Sequence, residues 1–515
     1  MEKVSLKTLI ISLVFLLLNG CVSIKATNPL TQAARAEEGT VIATLTNNTA
    51  NVNYWQSMAL IRTSDASGAP LIKKEESYAL NTDIEPGSSF TALYVGNIPA
   101  GTYRLSQIAS TVGNMNYWVT FNDQQSTFIV RAQEVTDIGR LIVTDLKDNK
   151  VAMARSYTQT SNLDYLKKTN YDFFAKIQNQ KINGWDAPPT DRDKNTELLS
   201  KYFSLGHFSP YSTSEGLMLV GSRMGSIWYN HLDKDGKWSL LNTNSLNAIF
   251  AIVQLDNHNL IVGGELGYLA RFEKEKGFVE IDKSNLPEGS VVFLKQYQEH
   301  GLIVCISNKG ILSFYHTNDI NNPKWEAFGQ AEAKFDFWSV GTTFSKIVSI
   351  GDNIVVAASP AILYVYYPET NEWVKRKLPK NVQSFSANFD KRLSLRGLPF
   401  PEDYYSDDLG VTWTEVKTLN DNLINFSDQK TGYMIAAGEG AGLFSPKPNR
   451  LVVTHDAGDS WETVHDSLGG ENELYLSPDK KSIFIFNSYF LEESRDGGKY
   501  WYTRRSSVLP EKKKD

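Results

Sequence analysis

The segment THDAGDSW at residues 454–461 is a hydrophilic turn that ends on a tryptophan, and SDDLGVTW at 406–413 and SRDGGKYW at 494–501 share its pattern. In each octet an Asp side chain can accept backbone N–H bonds within the turn, a Gly permits positive φ, and the Trp ring can be buried between sheets. Three such octets at matching places indicate a repeated unit of short β-strands.

Aromatic residues at regular intervals extend this repeat. Each follows a hydrophilic turn and begins a short strand-like run, and the separations are 40, 47, 48, 40, 48 and 40 residues. The seven positions are Trp238, Phe278, Trp325, Trp373, Trp413, Trp461 and Trp501. Such an interval holds about four short strands, which is one propeller blade. The spacing therefore predicts a seven-bladed β-propeller over residues 210–505.

A second match within the repeat supports the same unit. The segment LVGSRMG at 219–225 corresponds to IVGGELG at 261–267, and their last glycines are 42 residues apart. Both segments read as a strand followed by a tight turn.

The three octets resemble the Asp-box, also called the bacterial neuraminidase repeat. The positions that carry the resemblance are Ser406, Asp408, Gly410, Trp413, Thr454, Asp456, Gly458, Trp461, Ser494, Asp496, Gly498 and Trp501. Tyr500 departs from the pattern, because a Ser or Thr is usual at that place. In families with this motif the octet lies between the third and fourth strands of a blade, away from the central channel. The resemblance thus implies structural roles for these residues rather than catalytic or metal-binding ones.

The first residues indicate export. Lys3 and Lys7 precede an apolar run at 9–18, which is shorter than the roughly twenty residues that span a bilayer as a helix. We therefore expect residues 1–20 to be a removed signal peptide. An uncleaved short anchor is the alternative.

The segment LNGC at 18–21 resembles the bacterial lipobox, with Asn19 as a departure from it. The resemblance implies that Cys21 becomes the first residue of the mature protein and carries acyl chains of the palmitate type, which attach it stably to a membrane. Val22 is not the Asp that the family associates with inner-membrane retention. We expect a bacterial cell envelope protein, lipid-anchored to the outer membrane, with residues 21–38 as a tether.

Short apolar runs between turn residues predict a small β-sandwich over residues 39–151. Within it, the segment at 95–105 is similar to a turn and strand found in transthyretin-like and immunoglobulin-like bacterial modules. The fold class expected for the whole chain is mostly β, with a β-sandwich, a short helical connector and a propeller.

Residues 152–209 have a helical pattern. Apolar residues from Leu163 to Ile177 recur at helix spacing behind Ser161 or Asn162, and Thr190 with Asp193 resembles a capping box. Two short helices are expected, as a separate connector or as part of a flanking domain. Residues 506–515 are a short basic tail.

Charge and cysteine content exclude several function classes. The formal net charge of −6 gives no electrostatic basis for nucleic-acid binding. Cys305 lies in an apolar run and is expected to be a buried, inert thiol, and lipidation of Cys21 would leave it no disulfide partner. The seven histidines show no ligand spacing, and no phosphate-loop motif occurs, so no metal or cofactor is predicted.

No catalytic constellation emerges from the sequence. Asp-box propellers occur in sialidases, xyloglucan-degrading glycosidases, sorting receptors and assembly factors, so the fold leaves function open. The Arg-Ile-Pro or Arg-Leu-Pro element of sialidases is absent, and Arg223 and Arg271 are expected to be solvated or locally paired. The leading hypothesis is a non-catalytic binding or scaffold protein for an envelope protein or glycan. The alternative is an envelope glycoside hydrolase of sialidase-like type, which requires two carboxylates roughly 5 to 10 Å apart.

Overall fold

The computed structural model describes most of the chain between residues 25 and 505. The signal segment, Cys21 and the basic tail lie outside the described residues. The described ranges are 25–27, 34–49, 55–71, 76–82, 90–112, 115–121, 127–145, 151–203, 210–213, 216–231, 238–255, 259–334, 345–389, 391–398, 400–417, 422–438, 448–468, 473–477, 482–486 and 490–505.

The N-terminal domain is one sheet of eleven strands. They are β1 (Lys25–Thr27), β2 (Glu38–Asn48), β3 (Ser57–Ser64), β4 (Glu76–Thr82), β5 (Thr91–Pro99), β6 (Gly101–Val112), β7 (Met115–Thr120), β8 (Phe128–Val130), β9 (Val135–Asp145), β10 (Val151–Arg155) and β11 (Ile182–Asn183). The order is β10-β9-β2-β5-β4-β3-β6-β7, with β1 beside β4, β8 beside β6 and β11 beside β9. Side chains of β2, β3, β6 and β9 meet in one buried cluster, so the sheet curls over on itself. The predicted fold class is confirmed, with the difference that the two layers of the sandwich belong to one continuous sheet.

Strands from both flanks extend this sheet beyond residues 39–151. Lys25–Thr27, inside the predicted tether, pair in parallel with β4. Ile182–Asn183, inside the predicted connector, pair in parallel with β9. Both segments therefore join the sheet by backbone pairing.

Three α-helices are described after β10: α1 (Leu163–Thr169) and α2 (Tyr171–Ile177) precede β11, and α3 (Asp191–Phe203) follows it. The helix predicted from Leu163 to Ile177 is broken at Asn170, whose φ of −149° and ψ of 71° are not helical. Its side-chain oxygen accepts the N–H of Phe173 at 3.1 Å, which starts α2. Local capping thus replaces one helix with two.

The helices pack on the N-terminal sheet, which is the second of the two expected arrangements. Tyr165, Leu166 and Phe173 join the buried cluster on the outer face of β2 and β5. The predicted capping box forms at α3: Thr190 Oγ1 accepts the N–H of Asp193 at 3.2 Å, and Asp193 Oδ2 accepts the N–H of Thr190 at 2.7 Å.

Seven sheets of four consecutive antiparallel strands form the rest of the protein. Blades 1 to 4 comprise β12–β15 (Tyr211–Ser212, Leu217–Gly221, Ser226–His231, Ser239–Asn242), β16–β19 (Ile249–Gln254, Leu260–Gly264, Leu269–Glu273, Gly277–Glu280), β20–β23 (Ser290–Tyr297, Gly301–Asn308, Ile311–Thr317, Glu326–Glu332) and β24–β27 (Ser345–Ile350, Asn353–Ala358, Ile362–Tyr367, Glu372–Lys377). Blades 5 to 7 comprise β28–β31 (Asn381–Ala387, Leu393–Leu398, Glu402–Ser406, Thr414–Val416), β32–β35 (Asn425–Phe426, Gly432–Ala436, Asn449–Thr454, Glu462–Leu468) and β36–β39 (Glu473–Leu476, Ile483–Phe486, Phe490–Ser494, Tyr502–Arg505). Each of the seven repeated aromatic positions lies within its blade's fourth strand or one residue before it, as predicted.

Buried clusters join every blade to the next. The backbones of consecutive blades approach each other at their first strands, for example β16 with β20 and β24 with β28. The first strands are therefore innermost and line the central channel.

Blade 7 meets blade 1 at an aromatic seam, defined here by Trp228, Trp238, Tyr475, Phe484 and Phe486. The ring of Trp238 lies edge-on to Phe484 and Phe486, with centroids 6.4 Å apart in both pairs. No strand is shared across the seam, because each of the two sheets consists of its own four consecutive strands. Side-chain contacts therefore close the ring, and they include a 2.9 Å hydrogen bond between the hydroxyls of Ser212 in blade 1 and Tyr475 in blade 7.

Candidate functional site

The three octets are the turns between the third and fourth strands of blades 5, 6 and 7. Their first hydroxyl is buried, and its oxygen accepts the N–H of the octet glycine at 2.8 Å in all three turns. The pairs are Ser406 with Gly410, Thr454 with Gly458, and Ser494 with Gly498. The glycines have φ of 82°, 103° and 95°, which other residues rarely adopt.

The octet carboxylates accept hydrogen bonds from their own turns. Asp456 accepts the hydroxyl of Ser460 at 2.5 Å, the N–H of Ser460 at 2.8 Å and the hydroxyl of Thr454 at 2.8 Å. These bonds, with that of the Ser460 hydroxyl first, lower the pKa of Asp456 to about 2 although the group is exposed. A carboxylate held in this way is a turn-stabilising acceptor.

The other two octets repeat this arrangement. Burial acts to raise the pKa of Asp408, but bonds from Thr412 outweigh it, and the pKa is lowered. The pKa of Asp496 is lowered chiefly by the N–H of Tyr500, 3.0 Å away. Tyr500 therefore keeps the backbone bond of the pattern while lacking the Ser or Thr hydroxyl bond.

Each octet also packs against the preceding blade. A Cβ added at Gly458 would lie 2.2 Å from Val416 of blade 5. The equivalent distances are 2.3 Å between Gly410 and Leu363 and 2.6 Å between Gly498 and Val464. The glycines are thus required for blade contact as well as for turn geometry.

Three of the repeated tryptophans are hydrogen-bonded to the blade before their own. Trp325 Nε1 donates to Asp282 O at 3.0 Å, and Trp373 Nε1 donates to Phe328 O at 3.1 Å. Trp461 Nε1 donates to Lys417 O at 3.3 Å. The repeat therefore holds the ring together.

The N-terminal domain docks on the opposite face of the propeller from the octets. It contacts the turns between second and third strands in blades 1 and 2, at Arg223 and Glu265, and the connection between the two blades at Leu246 and Asn247. Successive hairpin turns of an antiparallel sheet lie at alternate ends of the strands, so the octets occupy the other end.

Arg140 and Glu265 are the centre of this domain junction, and they are 1% and 0% exposed. Glu265 accepts the N–H of Thr91 at 2.6 Å and its hydroxyl at 2.9 Å. Arg140 donates to Thr91 Oγ1 at 2.8 Å, to Asn247 Oδ1 at 3.0 Å and to Leu246 O at 3.1 Å. Burial lowers the pKa of Arg140, and the charge of Glu265 opposes that effect. The threonine thus bridges two buried opposite charges from different domains.

Arg223 provides the second contact of the junction. Its Nη1 donates to Thr49 O at 2.6 Å, and its guanidinium lies 4.3 Å from the centroid of the Phe90 ring. Phe90 also contacts Phe250 at the start of the innermost strand of blade 2, with centroids 6.2 Å apart. The expectation of a solvated or locally paired Arg223 is corrected: the residue is 5% exposed, because the N-terminal domain covers it.

The other sequence expectations have different outcomes. Arg271 is locally paired with Glu273 at 2.6 Å, and Cys305 is a fully buried thiol whose pKa burial raises well above its usual value. Among the described residues, no group of three or more His, Cys, Asp or Glu side chains is arranged to hold a metal ion. No helix within the described ranges has the length and apolar character needed to cross a membrane.

The first strands give the channel its chemistry. Half-buried apolar and amide side chains predominate on them: Tyr211, Phe250, Ile252, Gln254, Val292, Phe293, Gln296, Tyr297, Ile347, Val348, Gln383, Asn425 and Tyr475. In the described first strands the charged residues are Lys295, Lys346 and Glu473. Burial lowers the pKa of Lys295, whose ammonium donates to Gly351 O. Most of these neutral side chains pack into the clusters between blades: Tyr211, Ile252, Val292, Phe293, Tyr297, Ile347, Val348 and Tyr475.

Blade 5 holds a buried ion pair outside the octets. Arg396 and Asp403, which are 3% and 1% exposed, are 3.0 Å apart at the Arg Nη1 and Asp Oδ2 atoms. Arg396 Nε also donates to Gln383 of the innermost strand at 3.2 Å. Burial raises the pKa of Asp403 to about 7, and the positive charge of Arg396 offsets part of that rise. Its carboxylate faces an arginine and not a second acid.

No family model and no curated protein matches the chain by sequence. Similar solved structures include "YCF48 bound to D1 peptide", at 14% identity and a TM-score of 0.41, covering 58% of this chain and 92% of that one. YCF48 from Cyanidioschyzon merolae has 13% identity and a TM-score of 0.40, covering 59% and 96%. A streptogramin B lyase has 12% identity and a TM-score of 0.34, covering 44% and 74%. The fold class of this chain rests on its own seven four-stranded sheets.

Proposed function

We propose that this chain is a non-catalytic binding or scaffold lipoprotein of the bacterial envelope, whose propeller engages an envelope protein or a glycan. The observation that carries the proposal is the composition of the innermost strands. The described ones carry mainly neutral residues, and amides among them such as Gln254 and Gln296 can hydrogen-bond to a ligand without reacting with it.

The octets support the same proposal. We interpret them as Asp-box turns, in which Asp408, Asp456 and Asp496 stabilise the fold. Their carboxylates already accept several hydrogen bonds within each turn. Such groups are poor candidates for acid–base chemistry, because their lowered pKa values keep them ionised near neutral pH.

The envelope location is proposed from the lipobox-like segment that ends at Cys21. Cells fed a clickable fatty acid should label the wild-type protein, and Cys21→Ala should abolish the label. Label that persists on the variant would refute lipidation at this cysteine.

Photo-crosslinking in intact envelopes tests the binding proposal. A crosslinker at Gln296, on an innermost strand, should recover one defined partner, whereas the same crosslinker at the exposed Lys276 on the outer part of blade 2 should not. A glycan array probed with the soluble form from Ser23 onward distinguishes a glycan ligand from a protein one. Failure of both assays would count against a binding role for the channel.

A glycoside hydrolase would need two carboxylates that face each other across a cleft. The octet carboxylates are already engaged within their turns, and we expect the soluble form to release no sugar from sialosides or envelope polysaccharides. Hydrolysis above trace rate that is lost on changing one carboxylate would replace the binding proposal with the sialidase-like one.

A further inference from the structure

We propose that the N-terminal sheet domain is a spacer that stands on the membrane surface and turns the octet face of the propeller away from the lipid. The inference rests on the proposed lipidation of Cys21. Its geometric part depends on where the chain enters the sheet and where the propeller is attached to it.

The chain enters the sheet at the end remote from the propeller. Lys25 pairs with Tyr78 of β4, and Thr27 pairs with Leu80. The register of β4 against β5, in which Asn81 pairs with Val95, puts Tyr78 near the level of Ile98, at the end of β5. Because β1 runs from this level toward the propeller, Lys25, the described residue nearest to Cys21 in the sequence, lies at the remote end of the sheet.

The propeller is attached at the other end of the same strand. β5 begins at Thr91, which bonds Glu265 of blade 2, and ends at Pro99, which pairs with Glu38 at the start of β2. Between Thr91 and the level of Lys25 the strand rises about 23 Å, at about 3.3 Å per residue. The domain therefore separates the two attachment points along its length.

The distance to the proposed anchor is short. Cys21 precedes Lys25 by four residues, which span at most about 14 Å when fully extended. An anchor this close allows the remote end of the sheet to approach the headgroups and keeps the propeller far from them.

Several charges at the remote end are paired with each other. Arg62 lies 3.2 Å from Glu76, and Glu134 lies 3.3 Å from Lys181 and 3.8 Å from Arg131. Among the described residues these pairs form a mixed surface, and the proposal relies on the acyl chains to hold the domain on the membrane.

The domain junction fixes the direction of the propeller. Arg140, Glu265 and Arg223 are buried and hydrogen-bonded across it, and they meet the turns on one face of blades 1 and 2. The octets, on the other face, would lie farther from the headgroups than the junction by about the length of a blade strand, roughly 17 Å. A partner would therefore reach the octet face and that mouth of the channel from the side away from the membrane.

Energy transfer to the membrane surface tests this arrangement. Single cysteines are introduced at Ala66, in the turn after β3 at the remote end, at Phe400, and at Val411. Phe400 and Val411 are a matched pair: both belong to blade 5 and are 74% and 63% exposed, but they lie on opposite faces. Cys305 is fully buried and should not react with the dye, so each variant carries one donor.

The acylated full-length protein is placed in phosphatidylcholine vesicles that contain a headgroup-labelled acceptor lipid. We expect transfer to fall in the order Ala66→Cys, Phe400→Cys, Val411→Cys, with at least a twofold difference between the first and the last. Equal energy transfer from Phe400→Cys and Val411→Cys, or the reverse order, would refute the proposal that the N-terminal domain is a spacer.

A second form separates this inference from the lipoprotein proposal. Residues 1–21 are replaced by a hexahistidine tag, and the protein is bound to vesicles with a nickel-chelating lipid. The same order of transfer is expected. If the wild-type protein carries no acyl label, the lipoprotein proposal is refuted, and with it the membrane contact. If the protein is labelled but energy transfer follows a different order, only the spacer proposal is refuted.

Discussion

The domain junction and the aromatic seam both join parts of the molecule that share no strand, and they do so with different chemistry. At the junction, Arg140 and Glu265 are buried, and their polar atoms bond across the domain boundary. At the seam, Trp238 packs edge-on against Phe484 and Phe486. A hydrogen-bonded network accepts one geometry, while aromatic packing tolerates small shifts. The junction therefore fixes orientation, and the seam contributes buried apolar area.

The seam and the domain junction also differ in whether their buried polar atoms are hydrogen-bonded. Within the described part of the chain, Trp238 Nε1 and the amide of Asn230, in β14 of the same blade, have no hydrogen-bond partner. The buried polar groups named at the junction are hydrogen-bonded. Loss of one polar group should thus be costly at the junction, and loss of apolar contact should be costly at the seam.

The largest effect is expected from Glu265→Ala. Removal of this carboxylate leaves Arg140 buried without its counter-charge and the N–H of Thr91 without its acceptor, at a cost of about 4 kcal/mol. Calorimetry should show the two domains unfolding separately. The control Glu273→Ala removes a surface carboxylate paired with Arg271 and should leave the trace unchanged. A single unshifted transition in Glu265→Ala would show that the junction does not depend on this charge.

Trp238→Ala breaks the seam, with an expected loss of about 3 kcal/mol in the free energy of unfolding. The ring is 8% exposed, and it supplies two of the aromatic contacts between blades 7 and 1. Urea unfolding measures the loss. Trp118→Ala, at a residue that is 62% exposed on the N-terminal sheet, is the matched control and should cost little. Equal losses in the two variants would mean that the seam is not what closes the ring.

Thr454→Val tests the buried hydroxyl in the octet turn of blade 6. The change keeps the side-chain shape but removes the acceptor of the buried Gly458 N–H, which should cost about 1 to 2 kcal/mol. Ser460→Ala in the same octet removes an exposed hydroxyl and should cost less. Thermal unfolding of both variants compares them. A larger loss in Ser460→Ala would indicate that the exposed bonds, and not the buried one, hold the turn.

The smallest effect is a dependence on pH. The folded pKa of Asp456 is about 2, which is below the usual value of 3.8, so its ionised form stabilises the fold above about pH 4. That stabilisation is lost as the pH falls from about 4 toward 2. The difference in melting temperature between wild type and Asp456→Asn should be constant above pH 5 and shrink below pH 4. A difference that grows on acidification would contradict the lowered pKa.

The sequence predicted the features that repeat. Trp373 and Trp461 recur at blade intervals because each of these blades packs one large ring against the blade before it. A residue type required once per blade produces a periodic pattern in the sequence. The octet turns were visible for the same reason. Thr454 and Asp456 were both predicted to be structural, but the burial of the Thr454 hydroxyl and its bond to the Gly458 N–H were not predicted.

The junction could not be predicted, because each of its polar residues occurs once. Arg140 is a single charge in a strand, and nothing in the sequence connects it with Thr91 or Glu265 across the domain boundary. Arg223 and Glu265 occupy the same place in the two matching segments 219–225 and 261–267, but their opposite charges do not by themselves identify a partner.

The seam has a consequence for how such a protein can change over evolutionary time. Every blade is a run of four consecutive strands, so gene duplication or deletion of one repeat of 40 to 48 residues would cut through no sheet. In a propeller whose ring is closed by a strand from the other end of the chain, one blade contains strands from both ends. Duplication or deletion of a repeat would then have to preserve that mixed blade. Here only the two surfaces that meet around Trp238 and Phe484 would need to adapt. Because each repeat is one complete blade, duplication or deletion would change the number of blades by whole blades.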